Sequence, residues 1–300
     1  MLKIITTLLL IFTTTAFAGI DAIKASNNQV GIQFISTHID YKETYPDGTT
    51  ADTEKGGVQG FGLSLSAMKD VLLGNDYLKA QFSRSTGDVD YLGSLGGGCY
   101  FVTCVAIAID GYSPSYGSYG QKNHAKVTDF SLRYGKGFEL SDNLLMTPYA
   151  ELGHHEWKRD LGNTCVVGSL PDCASSEKYR HYFYGIGALI QHSPNQNLVL
   201  SADGFVGQTF SSKISGSGAT YLYTAPGGFT SFSPQDLGDK SMYRLGVSAD
   251  YAFTTQVHGN VGIDYVAFKY GRSAVFNGYT YEPDSKTNYT NVKVGVGYAF

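Results

Sequence analysis

Two aspartates separated by one residue, Asp88 and Asp90, are the side chains with the most evident catalytic potential in this sequence. Paired carboxylates can activate a water molecule, provided that the general base lies within hydrogen-bond reach of that water, at about 3 Å. The alternative is that both are solvated aspartates at the base of a loop. A second catalytic group on an opposing element would distinguish the two interpretations.

A second cluster of functional groups is the tripeptide His154-His155-Glu156. Neighbouring residues of a strand point to opposite faces, so His154 and Glu156 share one face, while His155 shares the other with Glu151. A metal ion would need a third ligand from another strand, and the sequence indicates none. We therefore expect polar residues of an interface or a lumen, and we predict no metal and no other cofactor.

The four cysteines form two close pairs, Cys99 with Cys104 and Cys165 with Cys173. Close pairs in an exported chain are most simply explained as two local disulfides, although four cysteines allow three pairings. Zinc is the alternative, but neither spacing has the two-residue knuckle that is usual in structural zinc sites. We predict the disulfides Cys99–Cys104 and Cys165–Cys173.

Export is indicated by the first residues of the chain. Lys3 precedes an apolar run, and Ala16-Phe17-Ala18 supplies a small-x-small cleavage site before Gly19. The apolar run is much shorter than the roughly 20 residues of a transmembrane helix. We predict a signal peptide over residues 1–18 and a single mature domain over residues 19–300.

The last ten residues alternate strictly between apolar and polar or small side chains. Because successive side chains of a strand point to opposite faces, one row would contact lipid and the other an interior that accepts polar groups. The predicted lipid row is Val292, Val294, Val296, Tyr298 and Phe300.

The same alternation recurs upstream in runs of about ten residues, the length that a tilted strand needs to cross a membrane. An even number of strands with alternately short and long connections predicts an all-β fold, a transmembrane antiparallel up-and-down β-barrel of about ten strands. In the first strand the apolar row changes face between Phe34 and Ile35, which suggests a β-bulge. Trp157, Tyr179 and Tyr270 are interpreted as part of an aromatic girdle at the membrane interface. The predicted strands are 29–41, 56–68, 75–87, 124–136, 143–158, 178–192, 196–211, 240–254, 257–270 and 288–300.

The predicted interior row carries charges of both signs. Charges in an apolar site need partners, so a mixed row implies a salt-bridged plug or a narrow wet channel. Ten strands leave little free bore, because eight are just filled by side chains. The predicted lumen-facing charges are Lys79, Asp129, Arg133, Glu151, Asp203, Arg244, Asp250, Asp264 and Lys293.

Two segments resemble outer-membrane proteins of the porin-like and opacity-type superfamily. The turn and strand over residues 140–153 are similar to a pattern of these barrels. The terminal Gly297-Tyr298-Ala299-Phe300 is similar to the signal that such proteins present to the barrel-assembly machinery, with Tyr298 and Phe300 as its aromatic residues. The resemblance implies an architecture and an assembly route but no activity.

A weaker resemblance is to the omptins, ten-stranded surface proteases. It implies an aspartate pair on one side of the barrel mouth, where Asp88 and Asp90 stand, and an Asp/His couple on the other side. The loop expected there contributes Asp236 and Asp239 but no histidine, and His258 falls at a predicted periplasmic turn. This departure weakens the protease hypothesis.

Composition narrows the range of functions. A net charge of −4 with both signs mixed provides no basic stripe, so nucleic acid is not an expected partner. We predict a non-enzymatic barrel of the bacterial outer membrane with extracellular, disulfide-pinned loops and a structural or adhesin-like surface-interaction role. Its expected partners are membrane lipid, the barrel-assembly machinery and an extracellular ligand or host surface. The alternatives are a narrow channel for small polar solutes and an omptin-like protease.

Overall fold

The computed structural model describes residues 19–93, 116–117, 119–161, 175–218, 231–275 and 281–300. These residues form a closed, antiparallel, ten-stranded β-barrel, as the alternating sequence predicts. Closure is made by the first and last strands, which pair continuously from Gln29 opposite Ala299 to Thr44 opposite Asp284. No backbone edge is therefore left between the two ends of the sheet, which is the condition for a sheet to cross a bilayer.

Two of the ten strands are interrupted. β4 continues into β5 after Gly137, and both segments pair with β6. β9 and β10 both pair with β8 and are separated by residues 237–240. The segments are α1 Gly19–Ser26, β1 Gln29–Thr44, β2 Thr50–Lys69, β3 Asp76–Gly93, β4 Tyr119–Lys136, β5 Phe138–Ser141, β6 Leu144–Leu161, β7 Ser175–Asn195, β8 Leu198–Gly218, β9 Ser231–Asp236, β10 Ser241–Ala252, β11 Val257–Tyr270 and β12 Asp284–Ala299.

The outward rows form an apolar belt around one half of the barrel. On β12 the predicted lipid row is exposed, and Val294 at 54% lies between Phe34 of β1 and Val261 of β11, which are equally exposed. A contiguous apolar surface of this kind on a folded protein needs lipid or a partner to cover it. Among the described residues, no helix is long and apolar enough to span a membrane.

The strands extend well beyond this belt, and here the predicted boundaries were too short. The second strand begins at Thr50 rather than at residue 56, and the connection before it shrinks to a turn over residues 45–49. The outward row of the extension is charged, with exposed pairs such as Lys55–Asp40 and Lys122–Asp90. Alternation of apolar with polar side chains ends where lipid ends, although backbone pairing continues. We call this end, with the long connections, the loop end, and the opposite one the turn end.

The predicted bulge in the first strand is wrong. β1 keeps one register with both neighbours through Phe34 and Ile35. Phe34 is exposed in the belt, whereas Ile35, Ile39 and Tyr41 are buried inside the barrel. We call the part of the barrel inside the belt the membrane half and the part beyond it the protruding half. The apolar residues change face because the outer wall of the protruding half is polar, so its apolar and aromatic side chains point inward.

The predicted girdle position of three aromatic residues is wrong for the same reason. Trp157 and Tyr179 have no exposed surface, and Tyr270 is 1% exposed. All three point into the protruding half of the barrel. The aromatic residues that are exposed at the turn end of the belt instead include Tyr251, Phe253, Tyr298 and Phe300.

A short helix that the sequence analysis missed lies at the turn end. α1 is attached by Ile23, which is fully buried, and by Lys24, whose ammonium pairs with Glu139 at 3.4 Å. Asn27 donates to the Gln191 side-chain oxygen at 2.6 Å, and Asn28 bonds to the backbone of Met68. The helix therefore covers the interior from this side.

Candidate functional site

The candidate site is the barrel interior, which has three parts from the turn end to the loop end. The first is a cavity of about 270 Å³ with Ser26 and Asn27 of the α1 segment in its lining. The second, the aromatic layer, contains His155, His181, Phe268, Tyr270 and Tyr289. The third, the Arg159 cluster, contains Glu43, Glu54, Arg159, Glu177 and Glu282 with Tyr41 and Tyr179.

The cavity contains a four-membered ion-pair network. Arg133 contacts Glu151 and Asp203, each at 2.7 Å. Arg244 also contacts both carboxylates. Tyr149 donates to Asp203 at 2.9 Å. Each charge therefore faces two opposite charges, which offsets the desolvation that burial imposes.

Further carboxylates of the cavity have partners of their own. Lys293 pairs with Asp264 at 2.6 Å, and Asn291 donates to the same carboxylate. Two Asp–His contacts at 2.6 Å, one formed by Asp250 and His258 and the other by Asp129 and His155, complete the set.

The aromatic layer lies next to the cavity and contains two histidines. The rings of His155 and His181 lie 5.0 Å apart, and both contact Phe268 edge-on. His181 Nδ1 contacts the Tyr270 hydroxyl at 2.8 Å, and His155 Nε2 contacts the Tyr289 hydroxyl at 3.4 Å. These side chains are buried and fill the cross-section between the two polar parts.

The Arg159 cluster closes the protruding half. The guanidinium donates to Glu177 at 2.7 Å, to Glu54 at 3.0 Å and to Glu43 at 3.2 Å. It also lies over the rings of Tyr41, Trp157 and Tyr179, within cation–π distance. One buried cation thus organises acids from three strands.

The cluster has more acids than cations, which perturbs their titration outside the membrane belt. Burial and the neighbouring Glu43 raise the pKa of Asp52 well above its ordinary value. Burial also raises the pKa of Glu54, although Arg159 opposes the shift. The pKa of Glu282 is likewise raised well above its ordinary value by burial and by Glu43. Burial therefore disfavours the charged form of these acids relative to that of an exposed acid.

Contacts across the full width of the barrel occur in both the aromatic layer and the Arg159 cluster. β1 and β7 face each other in the ring of strands, yet the hydroxyls of Tyr41 and Tyr179 are 3.3 Å apart. β6 and β12 also face each other and meet through His155 and Tyr289. Side chains rather than water therefore occupy the centre of the barrel at these levels.

The nine charges of the predicted interior row are brought together, since every one lines the cavity. Asp88 and Asp90 are not brought to the barrel mouth. Both point outward, Asp88 toward His124 and Asp90 toward Lys122, each at 2.9 Å, while Val89 between them is buried.

The remaining predicted residues have varied outcomes. His154 and Glu156 share the outer face of β6 and His155 the inner one. Tyr298 and Phe300 are exposed at the turn end. Cys99, Cys104, Cys165 and Cys173 lie outside the described residues, as does the predicted signal peptide, so these stay predictions.

Sequence reasoning missed the Arg159 cluster because it assigned residues 42–55 and 159–177 to loops. A signal was present on β6, where the inward row runs at a period of two from Tyr149 through Glu151 and His155 to Arg159. The predicted strand ended at residue 158, and continuing its inward row from Trp157 to the next inward position would have placed Arg159 inside the barrel.

The fold and interior define the class of protein as an outer-membrane β-barrel, and comparison with solved structures agrees. The chain is similar to the outer membrane protease OmpT from Escherichia coli, with 11% identity, a TM-score of 0.54, and coverage of 92% of this chain and 98% of that one. At this identity the likeness shows the fold alone.

Weaker similarities are to the Pseudomonas putida toluene transporter TodX, with 10% identity, 95% and 92% coverage and a TM-score of 0.34, and to the attachment invasion locus protein Ail of Yersinia pestis, with 11% identity, 91% and 99% coverage and a TM-score of 0.31. No family model and no curated protein matches the chain.

Proposed function

We propose that the chain is a non-conducting barrel of the bacterial outer membrane that raises its long connections above the membrane in a structural or surface-interaction role. The observation that carries this proposal is the filled interior, in which side chains of opposite strands touch at the levels of Tyr41–Tyr179 and His155–Tyr289. A solute would have to displace both the aromatic layer and the Arg159 cluster in order to pass.

The exterior of the protruding half supports the same role. Its outward row is polar and charged, so it suits water rather than lipid. We infer that this half faces the outside of the cell, since long connections of outer-membrane barrels are extracellular and short turns periplasmic. The part of the barrel beyond the belt then holds the long connections at a distance from the membrane.

Conductance in planar bilayers tests this function. We expect the folded protein to insert without discrete conductance steps, whereas a channel would show them. Tyr41→Ala combined with Tyr179→Ala removes one cross-barrel contact but leaves the aromatic layer in place, so it should also insert without conductance steps. Steady single-channel currents from the parent would contradict the proposal and favour the alternative of a narrow channel.

Binding to surfaces tests the interaction role. The parent and a variant with residues 94–115 replaced by a short Gly/Ser linker would be compared on arrays of matrix proteins and glycans. We expect binding by the parent that the replacement abolishes while the barrel remains folded. Equal binding by both proteins would assign the interaction to another part of the surface, and binding by neither would leave only the structural role.

The channel alternative is favoured by one observation, the polar cavity of about 270 Å³ in the membrane half. A cavity can hold a solute without conducting it, because transport also needs openings at both ends. The cavity therefore agrees with the non-conducting proposal as long as α1 and the aromatic layer stay in place.

We propose no hydrolytic activity for the chain. Asp88 and Asp90 lie on the outer wall and are each engaged by a basic side chain. The likeness to an outer membrane protease concerns the fold, and the aspartates that the omptin resemblance would use do not face a common cleft. Cleavage of a fluorogenic peptide library by the parent, lost in Asp88→Asn, would contradict this proposal.

A further inference from the structure

One lysine of the cavity lacks the carboxylate partner that the other cavity cations have. Lys79 of β3 lies between Ser66 of β2 and Arg133 of β4 in the barrel register. Within the described ranges, no carboxylate lies at salt-bridge distance from its ammonium, whereas Arg133, Arg244 and Lys293 each have one. A cation away from bulk water and without a counter-charge is unfavourable unless something compensates it.

The nearby carboxylates of the cavity already have partners. Glu151 and Asp203 are shared by Arg133 and Arg244, and Asp264 pairs with Lys293. Asp129 and Asp250 also line the cavity but are each bonded to a histidine. In the described part of the chain, Lys79 therefore differs from the other cavity cations in facing the cavity without a counter-charge at contact distance.

The uncharged polar side chains around Lys79 bond to no other side chain or backbone group among the described residues. In the next inward row of the same three strands, Gln81 lies between Ser64 and Ser131. Like Lys79, the side chains of Ser64, Ser66, Gln81 and Ser131 have no hydrogen-bond partner in the part of the chain that the structure describes. All five line the cavity. We call these five side chains the donor patch.

We propose that the donor patch binds a small inorganic anion, either a halide or an oxyanion of the size of phosphate. The ammonium supplies the counter-charge, and the hydroxyls and the amide supply neutral donors on both sides of it. A cavity of about 270 Å³ has room for such an ion with some of its water. The function of a sealed barrel neither requires nor implies this site.

Thermal unfolding in three salts tests the proposal and distinguishes the anions. The parent, Lys79→Gln and Lys55→Gln would be melted in sodium gluconate, chloride and phosphate at equal ionic strength. Lys55 is an exposed lysine of β2 that pairs with Asp40, so it is the matched control. Gluconate is much larger than a halide or phosphate and sets the baseline.

We expect one small anion to raise the Tm of the parent and of Lys55→Gln, with an increment that grows with the logarithm of its concentration. Lys79→Gln should lose that increment. The difference between variants matters because phosphate stabilises many proteins by exclusion from their surface. An increment of equal size in all three proteins, or none in the parent, would overturn the proposal.

A measurement on the parent alone covers the case in which Lys79→Gln does not fold. Crystals soaked either in sodium bromide or in sodium arsenate, an anomalous scatterer of the size of phosphate, should give an anomalous peak within hydrogen-bond distance of Lys79 Nζ in at least one soak. Anomalous peaks confined to the outer surface in both soaks, with water at the donor patch, would refute the anion site.

Discussion

Arg159 shows how a single side chain can organise one end of a membrane protein. Its guanidinium offers five donors in a fixed plane, and Glu43, Glu54, Glu177 and the Tyr179 hydroxyl accept from it. The side chain is 4% exposed, so these contacts are not screened by water. Removing the cation would leave several buried carboxylates without compensation.

We expect Arg159→Met to destabilise the loop end strongly, by about 3–5 kcal/mol, the range found when one partner of a buried ion pair is removed. Lys158→Met is the matched control, because the adjacent Lys158 points outward and pairs with Asp160 at an exposed site. Its effect should stay below about 1 kcal/mol. Denaturant unfolding in detergent micelles measures both, and equal losses would refute a special role for Arg159.

The raised pKa of Asp52 predicts a pH dependence of stability. A group whose folded pKa exceeds its unfolded value binds more protons in the folded state, so stability falls as pH rises. Its contribution is complete below the unfolded pKa, about 3.9, and is lost as pH rises through the folded pKa. Asp52→Asn is neutral at every pH, so we expect a higher Tm than the parent at pH 8 and a smaller fall between pH 5 and pH 8.

Asp47→Asn, in the adjacent turn, is the control for Asp52→Asn, because the pKa of Asp47 is shifted in the opposite direction. Hydrogen bonds from Thr49 lower the pKa of Asp47, so this exposed group stabilises the protein above its unfolded pKa and loses that effect as pH falls. The substitution should therefore leave the fall between pH 5 and pH 8 unchanged. A pH profile of Asp52→Asn that matches the parent would contradict the assignment.

At the scale of elements, α1 depends on one buried side chain. Ile23 is fully buried at the turn end of the interior, whereas Asp21 on the same helix is exposed. We expect Ile23→Ala to weaken helix docking by about 2–4 kcal/mol, as for other buried isoleucines. Hydrogen exchange of residues 20–28 should accelerate while that of β2 does not, and Asp21→Ala should change neither. Unaltered exchange in Ile23→Ala would show that its burial does not hold the helix.

Deletion of Phe300, which follows β12, distinguishes an effect on assembly in cells from an effect on the stability of the folded barrel. Phe300 is 57% exposed and donates its backbone amide to the Asn28 carbonyl, so its ring fills no internal space. Because the sequence resembles an assembly signal there, we expect deletion of Phe300 to lower the yield of inserted barrel in cells and to leave refolding in detergent nearly unchanged. Phe253→Ala, at an exposed aromatic residue of the same end, should affect neither. Equal cellular yields would remove the assembly role.

At the scale of the whole molecule, the belt fixes how the barrel sits in lipid. Val294 lies midway along the apolar part of β12, while Asn288 lies on the same face beyond the belt. An arginine at the bilayer midplane costs about 2–4 kcal/mol and near or beyond the interface much less. Val294→Arg should therefore reduce folding into lipid vesicles far more than Asn288→Arg. The reverse order would place the membrane elsewhere on the barrel.

Taken as a whole, the molecule is built from two halves whose outer walls differ in polarity, and each half has charged groups in its interior. In the membrane half the outer wall is apolar and the interior polar, with all nine predicted charges around the cavity. In the protruding half the outer wall is charged, and the interior contains Ile39, Tyr41, Trp157 and Tyr179. The same strands run through both halves, so the change of environment acts on each strand near its middle.

The sequence by itself determined the barrel, its ten strands and the inward charged row. A lipid environment outside and a polar interior impose a period of two, and β12 shows that period from Val292 to Phe300 without a break. The number of strands follows because each apolar alternation reports one crossing. These features depend on local patterns, each of which is complete within the sequence of one strand.

The tertiary structure alone decided how far the strands extend and how the interior is filled. Beyond the belt both faces of a strand contain polar residues, so the pattern no longer distinguishes strand from loop, and residues 159–161 and 175–177 were assigned to a loop. The contacts of Arg159 on β6 with Glu54 and Glu43 reach strands β2 and β1, which are 105 and 116 residues away in the sequence. Only closure of the sheet brings these strands face to face, so neither the cross-barrel contacts nor the position of Lys79 in the cavity is visible in the linear pattern.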